Sequence, residues 1–534
     1  MKKYIFLTFI LLSSAVIVLA QKQSASRPKI LFIPLDSRPP CLKMTEKMGL
    51  IADAQLVSPP AALLGDFQQP GLSEKINAWI MSQDLKSYDA AIIVLDMIAY
   101  GGLVASRKFM CDSTVAIARI NVLKQIRSKA PKLKIYGQNV IMRLAPSADG
   151  KNEAYREKLA TWAKISPDKD EKTKAQVLKL EEDIPVAVLA DYKLARARNY
   201  SINLKAIDFV KTGLVDYLIL SQDDASPKGV HLVDRENLIG RRDQLHLTEK
   251  IAIQPGADEV SMLLLARVLN RHFDFTPKIK AVYSSQKLKN SVMPFEDRML
   301  FETVSHHIRA AGSVEVQNEN QADILFYVYP SRHESDVAES FAEQIEREVN
   351  AGKRVIVADI DPVGNVQGGD SVFTNALEKR QVFSRLYGYA SWNTAGNTIG
   401  TALPHGVVFD LAVSKLSKNK AASQRMRTAQ NWFMINRVMD DYYYHNLVRA
   451  KANTYLSGKK LPSASLMNTE DNKRIEVYCL SLLQSYLNDF LKSYLAINEN
   501  EKGGIDCQKP TGLTFTLPWN RTFEADIDFK LTCR

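Results

Sequence analysis

The chain has 534 residues, 46% of them apolar and 24% charged, an ordinary globular composition that excludes a disordered or fibrous protein. Its formal charge of +11 is mild for that length, and it holds no dense Lys/Arg run with interleaved aromatics, so a nucleic-acid partner is not expected. The five cysteines are an odd number, which leaves at least one thiol free or paired between chains.

Residues 1–20 read as a secretory signal peptide: Lys2-Lys3, an apolar run over 4–19, Val18-Leu19-Ala20 at the cleavage positions, then polar Gln21-Lys22. The expectation is a periplasmic or secreted protein with no stable membrane span after cleavage. The alternative is an uncleaved anchor helix, for which the run is short. Export permits disulfides, and Cys507 and Cys533 flank a C-terminal β-like segment that they are placed to staple.

Beyond residue 21, strands and helices alternate to about residue 420. Strands are predicted at 29–35, 54–57, 90–96, 134–143, 216–221, 250–254, 278–284, 322–329, 354–360 and 389–392. Helices are predicted to about 48, then at 115–129, 234–243, 259–271, 295–311, 337–351 and 376–387, with a charged helical insertion over 151–211. AAIIVLD, at 90–96, has no alternation, as a strand covered on both faces requires. This order predicts an α/β fold with a largely parallel sheet. Two arrangements fit: a TIM-barrel-like core with additions, taken first, or two doubly wound domains split near residue 275. From 421 to 534 the pattern changes to a helical and β cap, with long helices at 421–457 and 471–495 and a β-like run at 512–531.

Six segments run from an apolar stretch into a polar cluster: 33–39, 94–103, 138–143, 218–227, 251–259 and 389–398. In parallel α/β folds the carboxyl edge of the sheet is where ligands bind, so these ends are expected to form one composite pocket. The sharpest is Gln222-Asp223-Asp224. If a turn brings two adjacent carboxyls together, repulsion and burial separate their pKa values and give an acid beside a base. Asp223 and Asp224 are therefore the candidate catalytic residues.

Asp36, Arg38, Asp96, Arg143, Gln222, Asp258, Glu259, Trp392, Asn393 and Asn397 are candidate substrate-binding residues, with Trp392 as a stacking plate for a sugar. Each has a plain structural reading as well: a salt bridge for Asp36 and Arg38, a helix cap for Asp258. Cys41 is weighed as a nucleophile or a buried thiol. Pro518-Trp519-Asn520-Arg521 is expected to fold back over the pocket. Walker, GxGxxG, GxSxG and HExxH motifs are missing, no metal-ligand spacing occurs, and no cofactor is called for.

These segments resemble a bacterial family of unknown function, DUF4127. The resemblance rests on Leu35–Pro39, Leu95–Leu103, Gln222–Ala225, Pro255–Glu259, Trp392–Leu403 and Leu517–Glu524, and spans nearly the whole mature chain. It implies one architecture of about 500 residues and no reaction. GLVDYLILSQDD also looks like the paired-Asp strand of hexosaminidase-type glycosidases, over a dozen residues only.

The leading functional expectation is an exported carbohydrate-active hydrolase acting on a small-molecule or glycan substrate. The alternatives are a metal-dependent enzyme on a small polar or phosphorylated substrate, and a non-catalytic glycan-binding envelope protein.

Overall fold

The computed structural model describes residues 27–67, 69–147, 152–332, 334–364, 368–459, 467–496 and 507–533. The expected signal peptide lies outside them. No helix among the described residues is long and apolar enough to cross a membrane.

Strands β1 (Lys29–Ile33), β2 (Gln55–Val57), β3 (Ala90–Val94), β4 (Lys134–Ile141), β5 (Tyr217–Gln222) and β6 (Ile251–Pro255) form an all-parallel sheet, ordered β2-β1-β3-β4-β5-β6. Strands β7 (Lys278–Tyr283), β8 (Val314–Glu315), β9 (Ile324–Tyr329), β10 (Val355–Asp359) and β11 (Gly388–Ala390) form a second, ordered β11-β10-β9-β7-β8. Both wind the same way: the second strand lies outside the first, and the order reverses between β1 and β3 and between β7 and β9.

The α/β, largely parallel class is therefore found, in the two-sheet arrangement with the break between β6 and β7. The barrel expectation is corrected: β2 and β6 end one sheet, β8 and β11 the other, and neither closes. The reason is that barrel strands and open-sheet strands are both buried on two faces, so apolar runs such as Ala90–Val94 carry no information about closure. Three of the edges are very short, β2 and β11 with three residues each and β8 with two, which limits unpaired backbone.

One apolar core joins the sheets, containing Phe32 of β1, Ile279 of β7 and Val357 of β10. The helix Val260–His272, which follows β6, packs on β3 and β4 and against the helix Ala395–Leu416. That second helix follows β11 and lies on β10 and β11. Both are apolar nearly all round, as helices sandwiched between layers must be.

The expected helical insertion is present as Glu153–Ile165, Glu171–Asp183 and Val186–Lys211, the last packing on β4 and β5. At the C-terminal end, helices Lys420–Val438 and Arg449–Gly458 are joined by a π-helical segment, Met439–Val448. The helix Thr469–Ala496 and an antiparallel hairpin of β12 (Thr511–Thr516) and β13 (Asp526–Lys530) follow. Cys507 and Cys533 form the expected disulfide, leaving Cys41, Cys111 and Cys479 as thiols.

Two local departures matter for the site. The predicted strand 90–96 stops at Val94, and Leu95–Tyr100 is a short helix ended by Gly101 at φ 90°. The predicted helix 295–311 begins only at Leu300, where the Glu302 carboxylate accepts the Met299 N–H at 3.0 Å. Residues 295–299 are loop, with Phe295 at φ 63°.

Helix Ala395–Leu416 rides so close to its sheet that a Cβ on Gly406 would stand 2.2 Å from Ile356 Cγ1. In an exposed helix Gly→Ala gains about 0.5–1 kcal/mol. Here Gly406→Ala is expected to lose about 1–3 kcal/mol through overpacking, read as a lower denaturant midpoint.

Candidate functional site

β1 runs out into Leu35–Arg38 at the carboxyl edge of the first sheet. Its turn is fixed locally: Asp36 Oδ1 accepts the Arg38 N–H at 3.0 Å. The buried Arg38 guanidinium then binds three carboxylates, Asp36 at 2.7 Å, Asp258 at 2.6 Å and Glu524 at 2.7 Å. Asp258 comes from the loop after β6. Glu524 comes from the segment before β13, which also brings Trp519 across to give its indole N–H to Ser37 Oγ at 3.1 Å. The C-terminal motif does fold back over this rim.

Burial pushes Asp258 up to about 6 against the pull of Arg38. Burial also pushes the Cys41 thiol well above its ordinary value, so Cys41 is a structural thiol and not an activated nucleophile. Oxygen and sulfur atoms of Asp36, Cys41 and Asp258 lie within 4.8 Å of one another, a donor set of metal-binding type. The Arg38 Nη2 donor stands among them, however, within 2.7 Å of both carboxylates and 3.7 Å of Cys41 Sγ. The positive charge the acids need is already supplied, and the site does not fit a dication.

A second ionic group lies at the end of β5. Asp223 takes the Arg107 Nε–H at 3.0 Å and a second Arg107 donor, while Arg107 Nη1 bonds Ser147 Oγ at 2.7 Å. Asp223 Oδ1 accepts the Asp224 N–H at 2.9 Å, and Asp224 pairs with Arg143 at 2.8 Å. The two carboxyls are thus turned apart, each to its own arginine. Desolvation opposes ionisation of both. At Asp223 the guanidiniums of Arg107 and Arg143 outweigh it and hold the carboxyl below the usual range. At Asp224, which is partly exposed, desolvation and the Asp223 charge prevail over Arg143 and raise it.

The carboxyl edges of the two sheets meet beside Asp224. The Ala225 N–H bonds the Phe295 carbonyl at 2.8 Å, tying the loop after β5 to the loop after β7. Glu296, next along, accepts the Gly396 N–H at 2.8 Å from the first turn of helix Ala395–Leu416. Gly256, after β6, sits against Gly396: a Cβ on Gly396 would come 3.2 Å from the Gly256 nitrogen. Gly256 itself has φ 114° and covers the Glu259 carboxylate so closely that only glycine fits. Glu296 is buried, its Oε2 has no partner among the described residues, and burial pushes it up to about 8, helped by Asp297, Glu259 and Asp224. Burial thus favours its protonated form at neutral pH.

The remaining candidates fall as follows. Gln222 is buried at the end of β5 and holds the Asp223 carbonyl at 2.8 Å. Asp96 is fully buried, bound to Asn139 Nδ2 at 3.0 Å and the Val140 N–H at 2.9 Å, and burial raises it to about 6. These bonds hold it within the β3–β4 interior, away from the two ionic groups. Glu259 is buried beneath its own loop, accepting the Ala257 N–H at 3.1 Å. Trp392 is buried, with its indole N–H given to Thr401 Oγ1 at 3.0 Å, so its ring packs in the core and is not offered to a sugar. Asn393 has φ 60° and leads to Thr394, whose side chain caps the helix at Asn397 N. Asn397 is buried with its Oδ1 unpartnered among the described residues.

Arg107, Glu296 and Glu524 were not singled out from the sequence. Glu296 was hidden inside a predicted helix. Glu524 lay in a motif whose tryptophan and arginine drew attention first, and Arg107 carries no local pattern. Between the ends of β1 and β3, where the winding reverses, Asp36, Phe67, Gly102, Leu103 and Trp519 line a crevice of about 20 Å³, room for roughly one water.

The family described as "Protein of unknown function (DUF4127)" matches residues 30–528, and the chain belongs to that family. No curated protein matches it.

Removing Arg38 leaves three buried carboxylates facing one another. Arg38→Gln is expected to lose about 3–5 kcal/mol of stability at pH 7.5. The deficit should shrink as pH is lowered toward about 6, because Asp258 without the pull of Arg38 takes up its proton above that value, measured by urea titration at several pH values.

Proposed function

We propose that the protein is an exported hydrolase of carbohydrate-like substrates, working by carboxyl acid–base chemistry where the two sheet edges meet. The observation that carries this reading is a pair of neighbouring carboxyls in different charge states. Glu296 is held protonated up to about 8, and Asp224, one residue from the Ala225–Phe295 bond, is paired with Arg143. Environments that separate two carboxyls in this way assign acid and base. Glu296 is the proton donor to a leaving oxygen, and Asp224 is the base or nucleophile. Asp223, locked to Arg107, orients Asp224 by accepting its backbone N–H. Phe295, 51% exposed beside Glu296, offers the apolar ring that Trp392 does not. The Cys507–Cys533 disulfide is consistent with an oxidising compartment and so supports export.

The metal-dependent reading is favoured less, because Asp36, Asp258, Asp223 and Asp224 are each bound to an arginine. A glycan-binding protein without turnover has no use for a buried neutral acid beside a carboxylate.

Asp224→Asn and Glu296→Gln are each expected to lower kcat on aryl glycosides about 10²-fold or more, Asp224→Asn with its melting temperature nearly unchanged. Unchanged turnover in both variants would overturn the proposal, and binding without turnover in the wild type would assign the glycan-binding alternative.

Glu296 also predicts two pH effects. Activity should fall above about 8, as the donor loses its proton. Because its folded pKa is raised, the folded state binds the extra proton, so its contribution is full below the unfolded value near 4.5 and is lost as pH rises through about 8. The melting temperature of Glu296→Gln relative to wild type should therefore climb between pH 5 and 8, read by calorimetry.

A further inference from the structure

The second sheet carries its own reversal of winding, between β7 and β9, and nothing in the hydrolase reading uses it. In doubly wound sheets that reversal, at the carboxyl ends of the strands, is where a crevice for ligand opens. β9 ends in Tyr329, followed by Ser331 and Arg332. Ser331 Oγ is 2.7 Å from Ser284 Oγ, just beyond β7, so two hydroxyls mark the reversal point itself.

Arg332 is 6% exposed, yet its guanidinium is poorly matched. Nη2 reaches Asp359 Oδ1 only at 3.5 Å, and Nη1 stands 3.7 Å from Asp361 Oδ2. Nε and Nη1 have no hydrogen-bond partner among the described residues. The contrast with Arg38, whose three carboxylates all stand within 2.7 Å, is direct.

The nearby acids are engaged elsewhere. Asp359 Oδ2 accepts the Asp370 N–H at 2.6 Å, and Asp361 Oδ1 accepts the Val363 N–H at 2.8 Å. Asp370 caps the helix Ser371–Lys379 at the Val372 N–H and takes the Tyr329 hydroxyl proton at 3.1 Å. A buried guanidinium with free donors is costly unless an acceptor arrives.

We propose that the reversal point of the second sheet is a separate ligand site, in which Arg332 takes an oxyanion, the carboxylate of an acidic sugar or a phosphate. The Ser284 and Ser331 hydroxyls hydrogen-bond the same group, because serine hydroxyls can donate as well as accept. Charge-assisted bonds to the free N–H donors supply the affinity. The site stands independently of the hydrolase reading, since Asp224 pairs with Arg143 and Glu296 bonds the Gly396 N–H, both away from Arg332.

The test is calorimetry on the mature full chain with two probes, inorganic phosphate and glucuronate. At least one is expected to bind the wild type and Asp224→Asn alike, and the tighter of the two tells phosphorylated from carboxylated ligands. Binding should weaken about tenfold in Arg332→Lys and vanish in Arg332→Gln. Should Arg332→Gln not fold, the lysine variant decides the matter alone. The proposal is overturned if neither probe binds at about 10 mM. It is equally overturned if the Arg332 variants bind as the wild type does, or if Asp224→Asn abolishes binding, which would place the probe at the first sheet.

Discussion

The architecture of the rim depends on one buried guanidinium. Arg38 is joined to Asp36 two residues away, to Asp258 at a separation of 220 and to Glu524 at a separation of 486. It ties the start of the first sheet, its last loop and the C-terminal segment at a single point. Burial, helped by the charges of Asp36 and Glu524, raises Asp258 to about 6 against the pull of Arg38. A buried network of this kind is weak evidence for stability, but its geometry is demanding. Asp36, Asp258 and Glu524 can satisfy Arg38 only if the chain returns to the same place, so the network selects one arrangement of the loops.

The two sheets repeat the same winding, and their carboxyl edges are brought face to face by backbone contacts rather than by charge. The Ala225–Phe295 bond and the Gly256–Gly396 approach leave no room for side chains at the seam. Glycine at 256 and 396 is therefore a steric requirement of the junction. The apolar helices Val260–His272 and Ala395–Leu416, which start from this seam, carry the junction into the shared core. Packing thus fixes the relative position of the acids at the seam, and the acids inherit that precision.

Much of this was legible in the sequence. Strands buried on both faces announce themselves as unbroken apolar runs, and their polar ends mark the carboxyl edge, so Asp36, Arg38, Asp223, Asp224 and Asp258 were found. Closure was not legible, because a barrel and an open sheet ask the same of each strand. Trp392 was misjudged as a stacking plate because its neighbours Asn393 and Thr394 are polar, yet they turn and cap the helix while the indole points inward to Thr401. Glu296 was missed because Phe295–Leu300 carries helix-like composition, and only the positive φ of Phe295 and the cap at Met299 show that it is loop. Long-range partners such as Arg107 and Glu524 leave no periodic trace. Their positions are set by tertiary folding alone.

Charge pairing separates the acids of the first rim into two kinds. Asp36, Asp258, Asp223, Asp224 and Glu524 each have an arginine within hydrogen-bonding range. Glu296 has none among the described residues. Its nearest donor is the Gly396 N–H, a helix-terminal dipole that stabilises charge less than a guanidinium does. Burial then decides its state and favours the protonated form. A rim rich in ionised carboxylates could bind polar groups anywhere along its length. Glu296 is held at the seam by the fit of Gly256 against Gly396. The place where the sheets join is therefore also the place where the proposed proton donor sits.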